Sequence, residues 1–331
     1  MTDLSAIAHA LVAPGKGLYA ADESPPSADK RLLEHGENPG ASTRWAFRDL
    51  FLETKGIEAF LSGVILHEET LFQTADSDVS FSRALRDRGV IPGIKVDEGT
   101  EPFPESPNEL ITKGLIGLPE RLALYRDKHD AQFTKWRTVI KIDGDKLPSS
   151  QAIVENAKRL ATYARMVQEA NMVPIIEPEV LLEGSHSRLR SKEVITKTLA
   201  AVVETLKDNA VDLSAVIIKS SMALSGSTSG RIDTPEEVAK DTVDALMAAI
   251  PREVPGIVFL SGGQTPKQAL DNLAAITRYG RKVQAPWPLT FSFSRAFQDD
   301  ALTLWAGKEE NVGVARESFL AHLKEAAQAL A

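Results

Sequence analysis

The chain has 331 residues, 43% of them hydrophobic and 25% charged, with a formal net charge of -8 and no cysteine. That is an ordinary globular composition with enough chain to bury a large core, and its acidity argues against a general nucleic-acid surface. The absence of cysteine removes disulfides and thiolate metal sites and fits a reducing compartment.

Residues 1–15 lack the basic region and apolar core of a secretory signal, and residues 5–12 read as a short amphipathic helix. Eight short apolar runs follow, at 17–22, 63–66, 91–97, 136–142, 172–177, 215–222, 256–261 and 288–293. Helical patterns lie between them. Residues 150–169 carry Ile153, Ala157, Leu160, Ala161, Ala164 and Val167 at spacings of three and four, and 194–206 form another amphipathic stretch. Thr234-Pro235-Glu236-Glu237 and Thr265-Pro266 read as helix starts, with an N-cap threonine and proline at the first helical position. Residues 309–331 predict a closing helix, and 98–114, with three prolines, predict the longest irregular loop. No stretch is apolar for long enough to span a membrane, so a cytoplasmic protein is expected.

Strands alternating with helices imply parallel pairing, and eight such units predict a (β/α)8 TIM barrel over residues 1–331, a single domain with short N-terminal and C-terminal helices. An open doubly wound sheet is the alternative. It usually carries a glycine-rich turn after the first strand, where this chain has Ala21-Asp22-Glu23-Ser24-Pro25-Pro26.

Catalytic residues of a barrel come from the C-terminal ends of its strands. Those ends supply Asp22, Lys95, Lys141, Glu177, Lys219, Ser261 and Arg295. Each alone is commonly a solvated strand end. Lys219 follows Ala215-Val216-Ile217-Ile218, a run apolar on both faces; burial there favours the neutral amine that attacks a carbonyl. Glu177 and Glu179, at i and i+2, share a face and offer a general acid or base, or a balance for nearby lysines. Ser261-Gly262-Gly263 before a helix start, with Arg295 after the eighth strand, reads as a phosphate grip; a plain turn is the competing reading. The six histidines show no paired ligand spacing and no nucleotide motif is present, so no metal or other cofactor is expected.

The ordered pieces Val12-Ala13-Pro14-Gly15-Lys16-Gly17, Ala20-Ala21-Asp22-Glu23-Ser24, Gly93-Ile94-Lys95-Val96-Asp97, Lys135-Trp136-Arg137, Pro174-Ile175-Ile176-Glu177-Pro178-Glu179, Leu260-Ser261-Gly262-Gly263-Gln264 and Leu289-Thr290-Phe291-Ser292 resemble the class I fructose-1,6-bisphosphate aldolases along nearly the whole chain. The resemblance implies a (β/α)8 barrel, a phosphorylated sugar substrate and a homo-oligomer, often a tetramer in the family. It implies Lys219 as Schiff-base lysine, Glu177 as proton-transferring glutamate, Asp22 in carbon–carbon cleavage, and Lys135 with Arg137 as a supporting pair. Lys95 matches a substrate-side lysine. Ser24, Ser27 and Arg31 match the region near the 6-phosphate, and Ser261, Gly262, Gly263, Ser292 and Arg295 the region near the 1-phosphate. On the fourth strand it replaces Lys141 by Lys135 and Arg137.

Three departures stand out. Ser220-Ser221-Met222 replaces Pro-Asn-Met, and Ser294 stands where glycine is frequent. The chain stops at Ala331 without the terminal tyrosine that many animal members use in enamine proton exchange. Another Schiff-base lyase or transaldolase, and a non-catalytic sugar-phosphate barrel, are the alternatives to an aldolase.

Overall fold

The computed structural model describes residues 3–75 and 78–331. In chain order the strands are β1 (Gly17–Ala21), β2 (Leu61–Leu66), β3 (Ile91–Lys95), β4 (Thr100–Phe103), β5 (Ser106–Thr112), β6 (Phe133–Ile140), β7 (Val173–Val180), β8 (Ile217–Ser220), β9 (Gly256–Phe259) and β10 (Leu289–Phe293). The helices are α1 (Leu4–Leu11), α2 (Pro25–Glu34), α3 (Ala41–Leu52), α4 (Glu68–Leu71), α5 (Phe81–Asp87), α6 (Leu118–His129), α7 (Ser150–Glu169), α8 (Arg188–Asp208), α9 (Pro235–Ala249), α10 (Pro266–Lys282), α11 (Arg295–Trp305) and α12 (Val312–Gln328).

Eight strands close a parallel barrel in the order β1-β10-β9-β8-β7-β6-β3-β2. These are the eight runs anticipated above, trimmed or extended at their ends. The open-sheet alternative is excluded by the closure of β1 on both β2 and β10. The anticipated helix starts at Thr234 and Thr265 are both capping boxes, each with its N3 side chain returning to the cap's backbone N–H.

The loop expected at 98–114 is instead largely an antiparallel hairpin, β4 with β5, paired from Thr100 opposite Thr112 to Phe103 opposite Ser106. Its strands escape a pattern search because only four of their eleven residues are buried and prolines interrupt them. A two-stranded ribbon tolerates proline on its outer edges, which a central barrel strand does not.

Alternation sorts each barrel strand into two faces. Outward residues such as Ile94, Trp136, Ile176, Ile218, Phe259 and Phe291 join the large core beneath the helices. Trp136 packs on Tyr163 of α7 with ring centroids 5.2 Å apart. Inward residues Leu18, Ala20, Ile65, Phe133, Val173, Ile175, Ile217 and Val258 form a second core, and Ala8, Leu11 and Val12 join it, so α1 stoppers the barrel at its N-terminal end. A fully buried leucine such as Leu11 contributes roughly 1.5–3 kcal/mol to that closure. Gly93 leaves room for the Phe133 ring in this layer: a Cβ there would lie 2.3 Å from Phe133 Cζ.

The inward series then turns polar. Two residues above Phe133 comes Lys135, then Arg137; above Ile175 come Glu177 and Glu179; above Ile217 comes Lys219; above Ala20 comes Asp22. The register sets Lys95 beside Lys135 and Arg137 beside Glu177. A dry layer below and charged groups above give the barrel one chemical end.

Candidate active site

A cavity of about 410 Å³ opens at the C-terminal ends of the strands. It is lined by Asp22, Ser24, Ser27, Arg31, Lys95, Lys135, Arg137, Glu177, Glu179, Lys219, Ser261, Gly262, Ser292 and Arg295, every anticipated site residue except Gly263. Gly263 stands one step back, where a Cβ would lie 3.8 Å from Arg295 Nη2. Lys141, read first as a strand-end candidate, falls just beyond β6 and is exposed outside the cavity. Lys141 shares the alternation of Lys135 and Arg137, but the strand stops at Ile140 before reaching it, and Lys135 and Arg137 hold the inward positions.

Lys219, 4% exposed, ends the inward row of β8. Its Nζ lies 3.0 Å from Glu177 Oε1 on β7. Lys135 Nζ lies 3.2 Å from the other oxygen of Glu177 and 2.6 Å from Asp22 Oδ2. Asp22, just past β1, and the buried Lys135, Glu177 and Lys219 of β6, β7 and β8 therefore form one chain, Asp22–Lys135–Glu177–Lys219. Around them, Arg137 pairs with Glu179, its backbone N–H donates to Asp97 Oδ2 at 3.3 Å, and Lys95 Nζ lies 2.8 Å from Asp97 Oδ1.

Burial opposes ionisation of Asp22, but Lys135 and then Lys219 overcome that cost and hold its carboxyl down at about 2. Burial acts against the Glu177 carboxylate as well; Lys135, Lys219 and Arg137 outweigh it and keep the group below the usual range. For Lys135 burial works against the ammonium, and Asp22, Glu177 and Asp97 reverse it, raising the amine well above its ordinary value. The resting chain is thus anion, cation, anion beside the Lys219 amine. A nucleophile within hydrogen-bond reach of a carboxylate base, with a third group fixing the base, is the arrangement of covalent catalysis.

Both ends of the cavity suit phosphate. At one, Ser24 and Ser27 meet with hydroxyls 3.0 Å apart at the start of α2, and Arg31 projects from the next turn, pairing with Asp299 and lying 3.8 Å from Glu34. At the other, Gly262 and Gly263 take φ of +58° and +90°, conformations that favour glycine and expose backbone N–H groups. Ser292 Oγ there is buried with no hydrogen-bond partner among the described residues, and Arg295 pairs with no carboxylate among them. Seven cationic side chains line the cavity against five acidic ones, an excess of positive charge in a protein of net charge -8. That local reversal selects an anionic ligand.

A family model described as fructose-bisphosphate aldolase class-I matches residues 3–331. The chain belongs to the class-I fructose-bisphosphate aldolase family. It is 44% identical over 319 residues to fructose-bisphosphate aldolase C of Homo sapiens, covering 96% of this chain and 86% of that protein. To the cytosolic fructose-bisphosphate aldolase 4 of Arabidopsis thaliana it is 44% identical over 316 residues, 96% of this chain and 79% of the relative. The solved structure of the Plasmodium falciparum fructose-bisphosphate aldolase, in complex with TRAP and a small-molecule inhibitor, superposes with a TM-score of 0.96 at 40% identity, over 99% of this chain and 93% of that one.

Four polar residues of this aldolase's cavity wall were not anticipated as site residues: Glu23, Lys30, Glu34 and Ser294. Lys30 was findable, one turn from Ser27 on the same helix face. Glu23 was not, because its partner is distant: Ser294 Oγ donates to Glu23 Oε1 at 2.6 Å across 271 residues. Burial, with Asp22 adding, pushes the Glu23 carboxyl up despite that hydrogen bond. None of the four tyrosines or six histidines lines the cavity. Arg281 holds the carbonyls of Leu330 and Ala331 at 2.9 and 2.6 Å, beside Val12–Lys16 at the opposite end of the barrel.

Proposed function

We infer that the chain catalyses the reversible aldol cleavage of fructose 1,6-bisphosphate to dihydroxyacetone phosphate and glyceraldehyde 3-phosphate through an imine on Lys219. The observation that carries this reading is the buried Lys219 amine 3.0 Å from Glu177, inside a cavity with anion-binding groups at both ends.

The Lys219 lone pair attacks the C2 ketone, and the carbonyl oxygen takes a proton to give a carbinolamine. Glu177, held as carboxylate at rest, first accepts a proton from the amine. That transfer consumes one of the cations that kept Glu177 ionised, so the protonated acid delivers its proton more readily to the departing hydroxyl. Water leaves and an iminium remains. The electrons of the C3–C4 bond flow into it while Asp22, anionic beside Lys135, takes the proton of the C4 hydroxyl, and the aldehyde departs. The enamine then gains a proton at C3 from solvent, and Asp22 returns to its anion by giving the proton it took to solvent. Water adds to C2, the C–N bond breaks, and dihydroxyacetone phosphate and free Lys219 are released.

Lys135 acts as a fixed charge: 2.6 Å from Asp22 and 3.2 Å from Glu177, it keeps both carboxylates ionised where water cannot. Glu179 serves by holding Arg137. Ser24, Ser27 and Arg31 take the 6-phosphate, with Lys95 beside them; Ser261, Gly262, Ser292 and Arg295 take the 1-phosphate, with Gly263 shaping that turn. A ligand fixed at both ends presents C2 to one amine, and this orientation supplies part of the rate.

Borohydride reduction in the presence of dihydroxyacetone phosphate tests the reading. A reduced adduct on Lys219, absent from Lys219→Met, is expected. Wild-type protein that traps no adduct at Lys219 refutes imine catalysis. The compartment we assign is the cytoplasm, supported by the cysteine-free composition and a cytosolic relative. For assembly we assign a homo-oligomer, with the tetramer of many family members as the state that sedimentation tests.

A further inference from the structure

We propose that Ser221 is a positioning residue, whose hydroxyl clips β8 to β7 and thereby sets the contact between Lys219 and Glu177. The inference rests on the imine reading above and adds to it the group that holds nucleophile and base together.

The β7–β8 ladder is short. Its paired residues are Ile175 with Ile217 and Ile176 with Ile218, and there the register ends. Extending it by one residue sets Glu177 opposite Lys219, so the two catalytic side chains leave their strands where backbone pairing stops. On the other flank β8 remains tied by main chain: Leu260 N–H donates to the carbonyl of Ser220 at 3.1 Å. On the β7 flank the tie is a side chain. Ser221 Oγ accepts from the N–H of Val180 at 3.0 Å and donates to the Val180 carbonyl at 3.1 Å. One hydroxyl therefore does what a pair of ladder hydrogen bonds would do. Ser220 Oγ donates to the Ser221 carbonyl at 3.0 Å and steadies the same turn.

The clip is dry. Ser221 is 4% exposed and Val180 6%. Without the hydroxyl, a buried N–H and a buried carbonyl lose their partner, and the chain past Lys219 relaxes toward the better-tied β9 side. That movement lengthens the 3.0 Å approach of Nζ to Glu177, while residues that grip the phosphates lie on other strands and loops. The expected signature is slow imine formation with ordinary substrate binding, because reactions between positioned groups fall steeply with small displacements.

The experiment compares wild type with Ser221→Ala, Ser221→Cys and Ser221→Thr. Single-turnover borohydride trapping with dihydroxyacetone phosphate reads imine formation, and steady-state cleavage of the bisphosphate separates kcat from KM. Ser221→Ala and Ser221→Cys are expected to slow trapping and kcat by roughly tenfold with KM changed by less than about twofold, whereas Ser221→Thr, which keeps the hydroxyl, stays within about threefold of wild type. Ser221→Cys keeps the side-chain shape with a slightly larger, weakly hydrogen-bonding atom and carries the test if the alanine variant does not fold. Trapping at the wild-type rate in Ala or Cys, a rise in KM at constant kcat, or a threonine variant as slow as alanine overturns the clip. Failure of the wild type itself to trap overturns the imine reading instead.

Discussion

Lys135→Met removes the cation between two buried carboxylates while keeping a side chain of similar length. Lys135 Nζ stands 2.6 Å from Asp22 and 3.2 Å from Glu177, and its side chain is 4% exposed. The Asp22 carboxyl is held at about 2 against an ordinary 3.8 although burial opposes its charge. That gap alone corresponds to roughly 2 kcal/mol, and the cation supplies more than the net because it also offsets burial. Removing one partner of a buried ion pair costs about 3–5 kcal/mol, which is the loss of stability expected at pH 7. The sign of the pH dependence also follows. In the variant Asp22 keeps no ion-pair partner among the described residues, so burial should raise its folded-state value above that of the unfolded chain, whereas Glu177 keeps Lys219 at 3.0 Å. A carboxyl raised on folding gains stability as pH falls through its folded value, so the cost shrinks by about 1–3 kcal/mol between pH 7 and pH 5. Urea unfolding followed by tryptophan fluorescence at the two pH values measures both numbers. The double variant Asp22→Asn/Lys135→Met should recover part of the loss, since it removes an anion together with its cation. A cost at pH 5 as large as at pH 7, or below about 1 kcal/mol at both, would show that Lys135 does not hold these charges.

Wild type should lose roughly 2 kcal/mol as pH falls from about 4 to about 2, because the unfolded chain protonates Asp22 before the folded one does; Asp22→Asn should lack that component, and equal acid sensitivity of the two proteins argues against it. Ser294→Gly removes the 2.6 Å donor to Glu23 and should move that carboxyl's titration further upward, read by carbon-13 NMR; a downward or absent shift contradicts the assigned hydrogen bond. Gly93→Ala pushes a Cβ to 2.3 Å from Phe133 Cζ and should cost about 1–3 kcal/mol, with Phe133→Leu in the same chain relieving it; a melting temperature unchanged by Gly93→Ala rules out the overpacking.

Lys219 shows how far residue patterns reach. Its strand is apolar on both faces for a reason that acts locally: in a parallel barrel one face packs on helices and the other on the barrel core. The same alternation carries Lys135, Arg137, Glu177 and Glu179 inward at every second position. Lys141 marks the limit of the argument. Lys141 has the same alternation as Lys135 and Arg137, but run length locates a strand only to within a few residues: β6 ends at Ile140, and its pairing with β3 and β7 shows that the inward lysine is Lys135. The hairpin of β4 and β5 stayed hidden because its strands bury little and so carry little pattern.

By itself the sequence determined the eight units, the dry strand beneath Lys219 and the residue types of a Schiff-base site, since these depend on periodicity and on chemistry close in the chain. The tertiary structure decided the partnerships: Lys135 between Asp22 and Glu177, Ser294 against Glu23, and Ser221 on Val180. Each joins groups at least 41 residues apart along the chain, and closing a barrel is what brings such strand ends to one mouth. Charge held at a few ångströms in a dry interior depends on that closure, and no local pattern encodes it.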